Sequence, residues 1–183
     1  MTVQPLDIPD VKLITPKKFG DHRGFFAETY SRKTLAAAGI DVEFVQDNHS
    51  LSATAGTVRA LHFQLPPFAQ DKLVRVLRGS ILDVAVDIRK GSPTFGRFVT
   101  AKLTAEGMEM FFVPIGFAHG FVTLEPNTEV AYKVTNYYAP THERGLRWND
   151  PQIGVPWGVD EANATLSGKD KIAPMLKDAP DLL

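Results

Sequence analysis

Between Val58 and Ala139 one short run rich in Val, Ile, Phe or Thr follows another, and this succession limits the fold more than any other feature. The runs are Val58–Gln64, Lys72–Arg78, Ile81–Arg89, Phe95–Leu103, Met110–Pro114, Phe117–Leu124 and Thr128–Tyr138, with glycine, proline or asparagine punctuating the gaps. β-Branched and aromatic side chains suit a pleated surface, and Gly, Pro and Asn suit the turns between strands. Many short strands without a long helical pattern predict an all-β sandwich or barrel of the jelly-roll kind. One helix is expected, N-capped by Ser31, carried by Leu35 and Ala36 to Ala38, and ended by Gly39. Lys12–Tyr30 and Glu43–Ser52 should add strands, and the chain from Arg147 reads as loops and short turns. Its 183 residues form one domain, 1–183: N-terminal strands and helix (1–52), a barrel core (53–140) and C-terminal loops closing over it (141–183).

Charge and composition remove several functions. The net charge is −1 with acids and bases mixed, so nothing resembles a nucleic-acid-binding stripe or arm. The absence of cysteine excludes disulfides, thiolate metal sites and thiol nucleophiles. Met-Thr-Val-Gln-Pro-Leu-Asp lacks the basic and apolar regions of a signal peptide, and no apolar stretch approaches the roughly 20 residues of a membrane span. No membrane partner and a cytoplasmic location are expected.

Alternation assigns strand faces. Val130, Tyr132, Val134 and Tyr138 fall on one face of their run, with Lys133 and Thr135 on the other. Lys72 shares a face with Val74 and Val76, so a lysine and two tyrosines are directed where an apolar interior becomes a polar pocket. Strict alternation places Arg59 opposite His62 unless a bulge intervenes, and puts the methyl of Ala60 on the His62 side. Asp83 and Asp87 read as structural, and His22, His49 and His142 lie near turn signals and read as solvated.

Pro114-Ile115-Gly116-Phe117-Ala118-His119 resembles the second signature motif of the cupin barrels. Metal-binding cupins carry H-x-H and a glutamate in the first motif. Here the corresponding residues are His62, Gln64 and Lys72, so an ammonium stands where a carboxylate would neutralise a divalent cation. No metal and no cofactor are expected. His62, Lys72, His119 and Tyr132 then read as a proton-transfer set: an imidazole suits proton abstraction near neutral pH, an ammonium can stabilise an enolate, and a phenol can return a proton.

Further segments make the resemblance specific: Arg59-Ala60-Leu61-His62-Phe63-Gln64, Lys72-Leu73-Val74-Arg75-Val76, Asp83 to Arg89, Ser92-Pro93-Thr94-Phe95-Gly96, Gly116 to Phe121 and Arg147-Trp148-Asn149-Asp150-Pro151. With these the chain, from about Phe19 to Lys171, resembles the dTDP-4-dehydrorhamnose 3,5-epimerase family, with a cupin-type jelly-roll barrel and a few short helices. The resemblance implies an isomerase acting on a dTDP-linked 4-keto-6-deoxyhexose, with His62 as base, Asp170 as its carboxylate partner, Tyr132 as acid and Lys72 as enolate stabiliser. It also implies a substrate site lined by Arg23, Glu28, Gln46, Asp47, Asn48, Arg59, His119, Glu143 and Lys169, with Tyr138 stacking on the base. The implied assembly is a homodimer whose N-terminal segments reach into the neighbour, so that Arg23 and Glu28 serve the partner's site. Asp170 alone would read as a turn or cap residue. Three other functions stay open: inversion of a single centre, binding of a sugar nucleotide without catalysis, and metal-dependent cupin chemistry.

Overall fold

The computed structural model describes residues 1–183. In chain order the strands are β1 (Thr2–Pro5), β2 (Lys12–Thr15), β3 (Lys18–Asp21), β4 (Gly24–Ala27), β5 (Gln46–Ser52), β6 (Val58–Gln64), β7 (Lys72–Arg78), β8 (Ser80–Asp87), β9 (Phe98–Thr104), β10 (Met110–Val113), β11 (Phe117–Thr123), β12 (Thr128–Val134) and β13 (Glu143–Gly145). The helices are α1 (Arg32–Ala37) and α2 (Gly168–Ile172), with a 3-10 turn at Leu176–Asp178. A six-stranded sheet runs β1-β2-β10-β7-β12-β5 and a five-stranded sheet runs β13-β6-β11-β8-β9, while β3 and β4 form a separate hairpin. The jelly roll expected from the strand pattern is the fold observed.

Alternation gives each main sheet two apolar faces, and three clusters result. Between the sheets lie Val74, Val76 and Val130 from one, and Ile81, Ala85, Phe117 and Phe121 from the other. The outer face of the five-stranded sheet, with Val58, Ala60, Leu61, Val84 and Val86, is covered by the C-terminal segment through Trp148, Ile153 and Trp157. Trp157 keeps its indole N–H satisfied by donating to the carbonyl of Trp148 at 2.6 Å. The outer face of the six-stranded sheet is covered in part by α1, through Leu35 against Ile14, Leu73 and Met110. Burying side chains of this size contributes about 1.5–3 kcal/mol each, so the terminal segments are fixed to the barrel.

β6 and β7 occupy the residues the sequence pattern assigned to them. Ser31 caps α1 by accepting from the Thr34 N–H, and Gly39 follows at φ 79°, a backbone angle that glycine adopts freely. Three local readings need correction. The run expected to reach Tyr138 stops at Val134, because Gln70 Nε2 donates to the Asn136 carbonyl and Asn136 Nδ2 donates to Pro67, which draws the chain away from the sheet. Phe95–Leu103 begins as a strand only at Phe98, because Ser92 and Thr94 turn inward and bond to Asp87. Residues Glu143–Gly145, read as loop, pair with the free edge of β6. Asp87 is structural as expected: burial would raise its pKa, but bonds from Arg89, Ser92 and Thr94 hold the carboxyl well below the usual range. No helix is long and apolar enough to cross a membrane.

Candidate active site

Where the apolar filling between the sheets stops, the inward positions of β5, β6, β7, β11 and β12 turn polar and enclose a cavity. It has two lobes of about 380 and 400 Å³ that share His62, Lys72, Tyr132, Glu143 and Lys169. His62 and Arg59 both line the deeper lobe, although three residues apart. A bulge is the reason. On β11, His119 pairs with His62 and Phe121 pairs with Arg59, so Ala60 and Leu61 together stand opposite Gly120. Both bulged residues are buried on the outer side. This corrects the reading of Ala60: its methyl packs away from His62, and a Cβ on Gly120 would fall 2.4 Å from it.

Each of the paired histidines has a carboxylate. His62 Nε2 lies 2.7 Å from Asp170 Oδ1, which α2 delivers from 108 residues away. Ser167 caps that helix by accepting from the Asp170 N–H. His119 Nε2 lies 2.6 Å from Asp83 Oδ1, inside the barrel. Asp83 was read as structural, yet alternation with Ile81 and Ala85 had already placed it on the inward face. A histidine held by a carboxylate has a fixed ring and a stabilised imidazolium.

Lys72 and Tyr132 enter from the six-stranded sheet, across from His62 and His119. The ammonium of Lys72 is enclosed by protein and donates to the His62 carbonyl at 3.3 Å. Burial pushes its pKa down to about 8, while Asp83 and Glu143 oppose the fall. Burial also raises the Tyr132 pKa, against the pull of the Arg59 charge, so the phenol is protonated at neutral pH.

At the mouth, Tyr138 Oη donates to Glu143 at 2.9 Å and Lys169 Nζ donates to the other Glu143 oxygen at 2.7 Å. Burial would raise the Glu143 pKa, but these two bonds outweigh it and hold the carboxylate low. The Glu143 bond raises the pKa of Tyr138. Tyr138 thus sits at the rim of the cavity, beyond the end of β12. Gln64, at the position of a metal ligand in other cupins, is used differently: Nε2 donates to the Phe68 and Tyr137 carbonyls, and Oε1 accepts from the Ala139 N–H. No three His, Cys, Asp or Glu side chains converge on a point that would suit a metal ion.

Gln46 and Asn48 line the cavity, joined by a 2.9 Å bond. Asp47 does not: as the middle residue of three on a strand it faces outward and pairs with Lys133 at 2.8 Å, which corrects the reading of an unbroken triplet. Arg23 and Glu28 also lie outside the cavity of their own chain. Arg23 is exposed on the β3–β4 hairpin and bonds to Asp21, while Glu28 borders an outer groove with Asp47, Arg75 and Lys133. The hairpin leaves Phe19, Phe25 and Phe26 exposed. Of the remaining histidines, His142 packs against Phe68 in a tilted contact with ring centroids 4.6 Å apart, whereas His22 and His49 are exposed as expected.

Fold and cavity together define a jelly-roll barrel equipped to move protons. The profile of the dTDP-4-dehydrorhamnose 3,5-epimerase family matches residues 5–178. A dTDP-4-dehydrorhamnose 3,5-epimerase of Sinorhizobium fredii is 53% identical over 98% of this chain and 92% of its own length. The crystal structure of the Bacillus anthracis enzyme of that name, with TDP and PPi bound, superposes with a TM-score of 0.92 at 49% identity, covering 95% of this chain and 98% of that one. The Legionella pneumophila epimerase, in complex with dTDP-4-keto-L-rhamnose, superposes with a TM-score of 0.92 at 44% identity over 97% and 93% of the two chains. This chain belongs to the dTDP-4-dehydrorhamnose 3,5-epimerase family, a family of isomerases.

Proposed function

We propose that the chain inverts C3 and C5 of dTDP-4-dehydro-6-deoxy-glucose to give dTDP-4-dehydro-L-rhamnose. The observation that carries this reading is that a carboxylate-backed imidazole and a half-buried phenol enter one cavity from opposite sheets, with an ammonium beside them. His62 removes the proton α to the C4 ketone, and the C–H electron pair becomes the enolate, with its charge on the C4 oxygen. Asp170 stabilises the imidazolium that forms, and Lys72 stabilises the oxyanion. Tyr132 then delivers a proton to the opposite face of the same carbon; His62 releases its proton to solvent, the Tyr132 phenolate takes one up, and the sequence repeats at the second centre. This chemistry calls for no cofactor.

The ligand is a dTDP-linked 4-keto-6-deoxyhexose. Arg59, His119 and Lys169 supply donors for a diphosphate, and Gln46, Asn48, Glu143 and Tyr138 frame the mouth where a base can stack. In this reading the chain acts as a single-domain homodimer in which Arg23 and Glu28 serve the neighbour's cavity. The exposed phenylalanines of the β3–β4 hairpin support that role, since apolar side chains so displayed mark contact surfaces.

Incubation with the keto sugar in deuterated water should place deuterium at C3 and C5. Label at one carbon would narrow the activity to a single centre, and nucleotide binding without any label would refute catalysis.

A further inference from the structure

The second carboxylate, Asp83, has no part in the proton transfers above. It lies on β8 between Ile81 and Ala85 and is fully buried. Oδ1 is bonded to His119 Nε2, whereas Oδ2 is buried and meets no donor. A charged oxygen without a donor is expensive inside a barrel unless cations stand nearby to offset it. Lys72 has the complementary problem, since its only bond is to the His62 carbonyl. The other ionisable or charged groups around the cavity are His62 and Arg59 on β6, His119 on β11, Tyr132 on β12 and Tyr138 beyond it, Glu143 on β13, and Lys169 and Asp170 on α2. β10, the other neighbour of β7, carries none. Among the nearby charges, Asp83 does most to favour the ammonium form of Lys72, ahead of Glu143, while Lys169 opposes it.

We infer that Asp83 is a positioning residue that acts through two others: its charge keeps Lys72 an ammonium inside the barrel, and its Oδ1 fixes the ring of His119. The inference rests on the reading of Lys72 as the enolate stabiliser. An Nε2–H directed at Asp83 leaves the other ring nitrogen of His119 for the ligand, so one carboxylate would set two groups of the substrate site.

The test is made first on ligand-free protein, so it stands apart from the deuterium experiment. In Asp83→Asn, burial acts on Lys72 with less opposition, and the ammonium should lose its proton at lower pH. The Lys72 Cε resonance, followed through a pH titration, should shift its midpoint down by roughly one unit. The alkaline limb of kcat should move by the same amount, and Asp83→Glu should restore most of it. An unmoved midpoint in Asp83→Asn overturns the inference. Where that variant folds poorly, Lys72→Met/Asp83→Asn decides: with the cation gone, its melting temperature should recover toward that of Lys72→Met. Failure to recover would assign Asp83 to packing alone.

Discussion

The two histidine–carboxylate pairs are neighbours in the β6–β11 ladder and are held at nearly equal distance, 2.7 and 2.6 Å, yet they are built differently. In the first, His62 keeps 24% of its side chain exposed and its carboxylate arrives late in the chain on a short helix. In the second, His119 is 9% exposed and Asp83 is wholly enclosed, both on central strands. A group that takes and returns protons must be reached by substrate, whereas a group that presents a fixed donor gains from being immobilised. In the proposed reading His62 is the former and His119 the latter, so one ladder serves both with carboxylates drawn from different parts of the chain.

The sharpest way to break this comparison is to truncate each histidine in turn. His62→Ala should lower turnover by roughly 10²–10⁴-fold, the range for losing a general base, with dTDP affinity by calorimetry nearly unchanged. His119→Ala should instead weaken dTDP binding more than turnover; the reverse pattern would exchange the two roles. Next in size, Tyr132→Phe should slow net inversion by roughly 10²-fold while sparing deuterium exchange, since proton removal does not need the phenol. Equal loss of both would place the acid elsewhere. For pH dependence the sign follows from Lys72: burial brings its pKa down to about 8, and the charged form is the useful one. The rate should therefore fall roughly tenfold per unit above about 8, and a profile flat from there to pH 10 would remove Lys72 from the chemistry. The smallest effect is expected from Ala60→Gly. Its methyl lies on the outer side, so kcat should change by less than about twofold while stability falls by about 0.5–1 kcal/mol. A large kinetic effect would mean that the bulge is drawn wrongly.

Period-2 patterning makes the strands and their inward faces legible, and it places Lys72, Val74 and Tyr132 inside from the sequence alone. What it missed lay in contacts between distant segments. Asp170 looks like a turn residue until α2 is folded against β6, and the resemblance alone had promoted it. Asp83 shares the inward parity of Ile81, but nothing local shows His119 waiting on the adjacent strand. Asp47 shows the opposite case: in a contiguous strand triplet neighbours face apart, so the middle residue turns outward to Lys133. Glu143–Gly145 is too short to announce itself as a strand and exists because β6 has an edge to offer.

The extra residue in β6 has an evolutionary consequence. With it bulged, guanidinium and imidazole point into the same chamber; were the same residues paired in strict alternation, one of the two would face the tryptophans on the far side. Loss of that one codon would leave the arginine and the histidine two positions apart and still on one face, so the chamber tolerates the additional residue only because the bulge absorbs it.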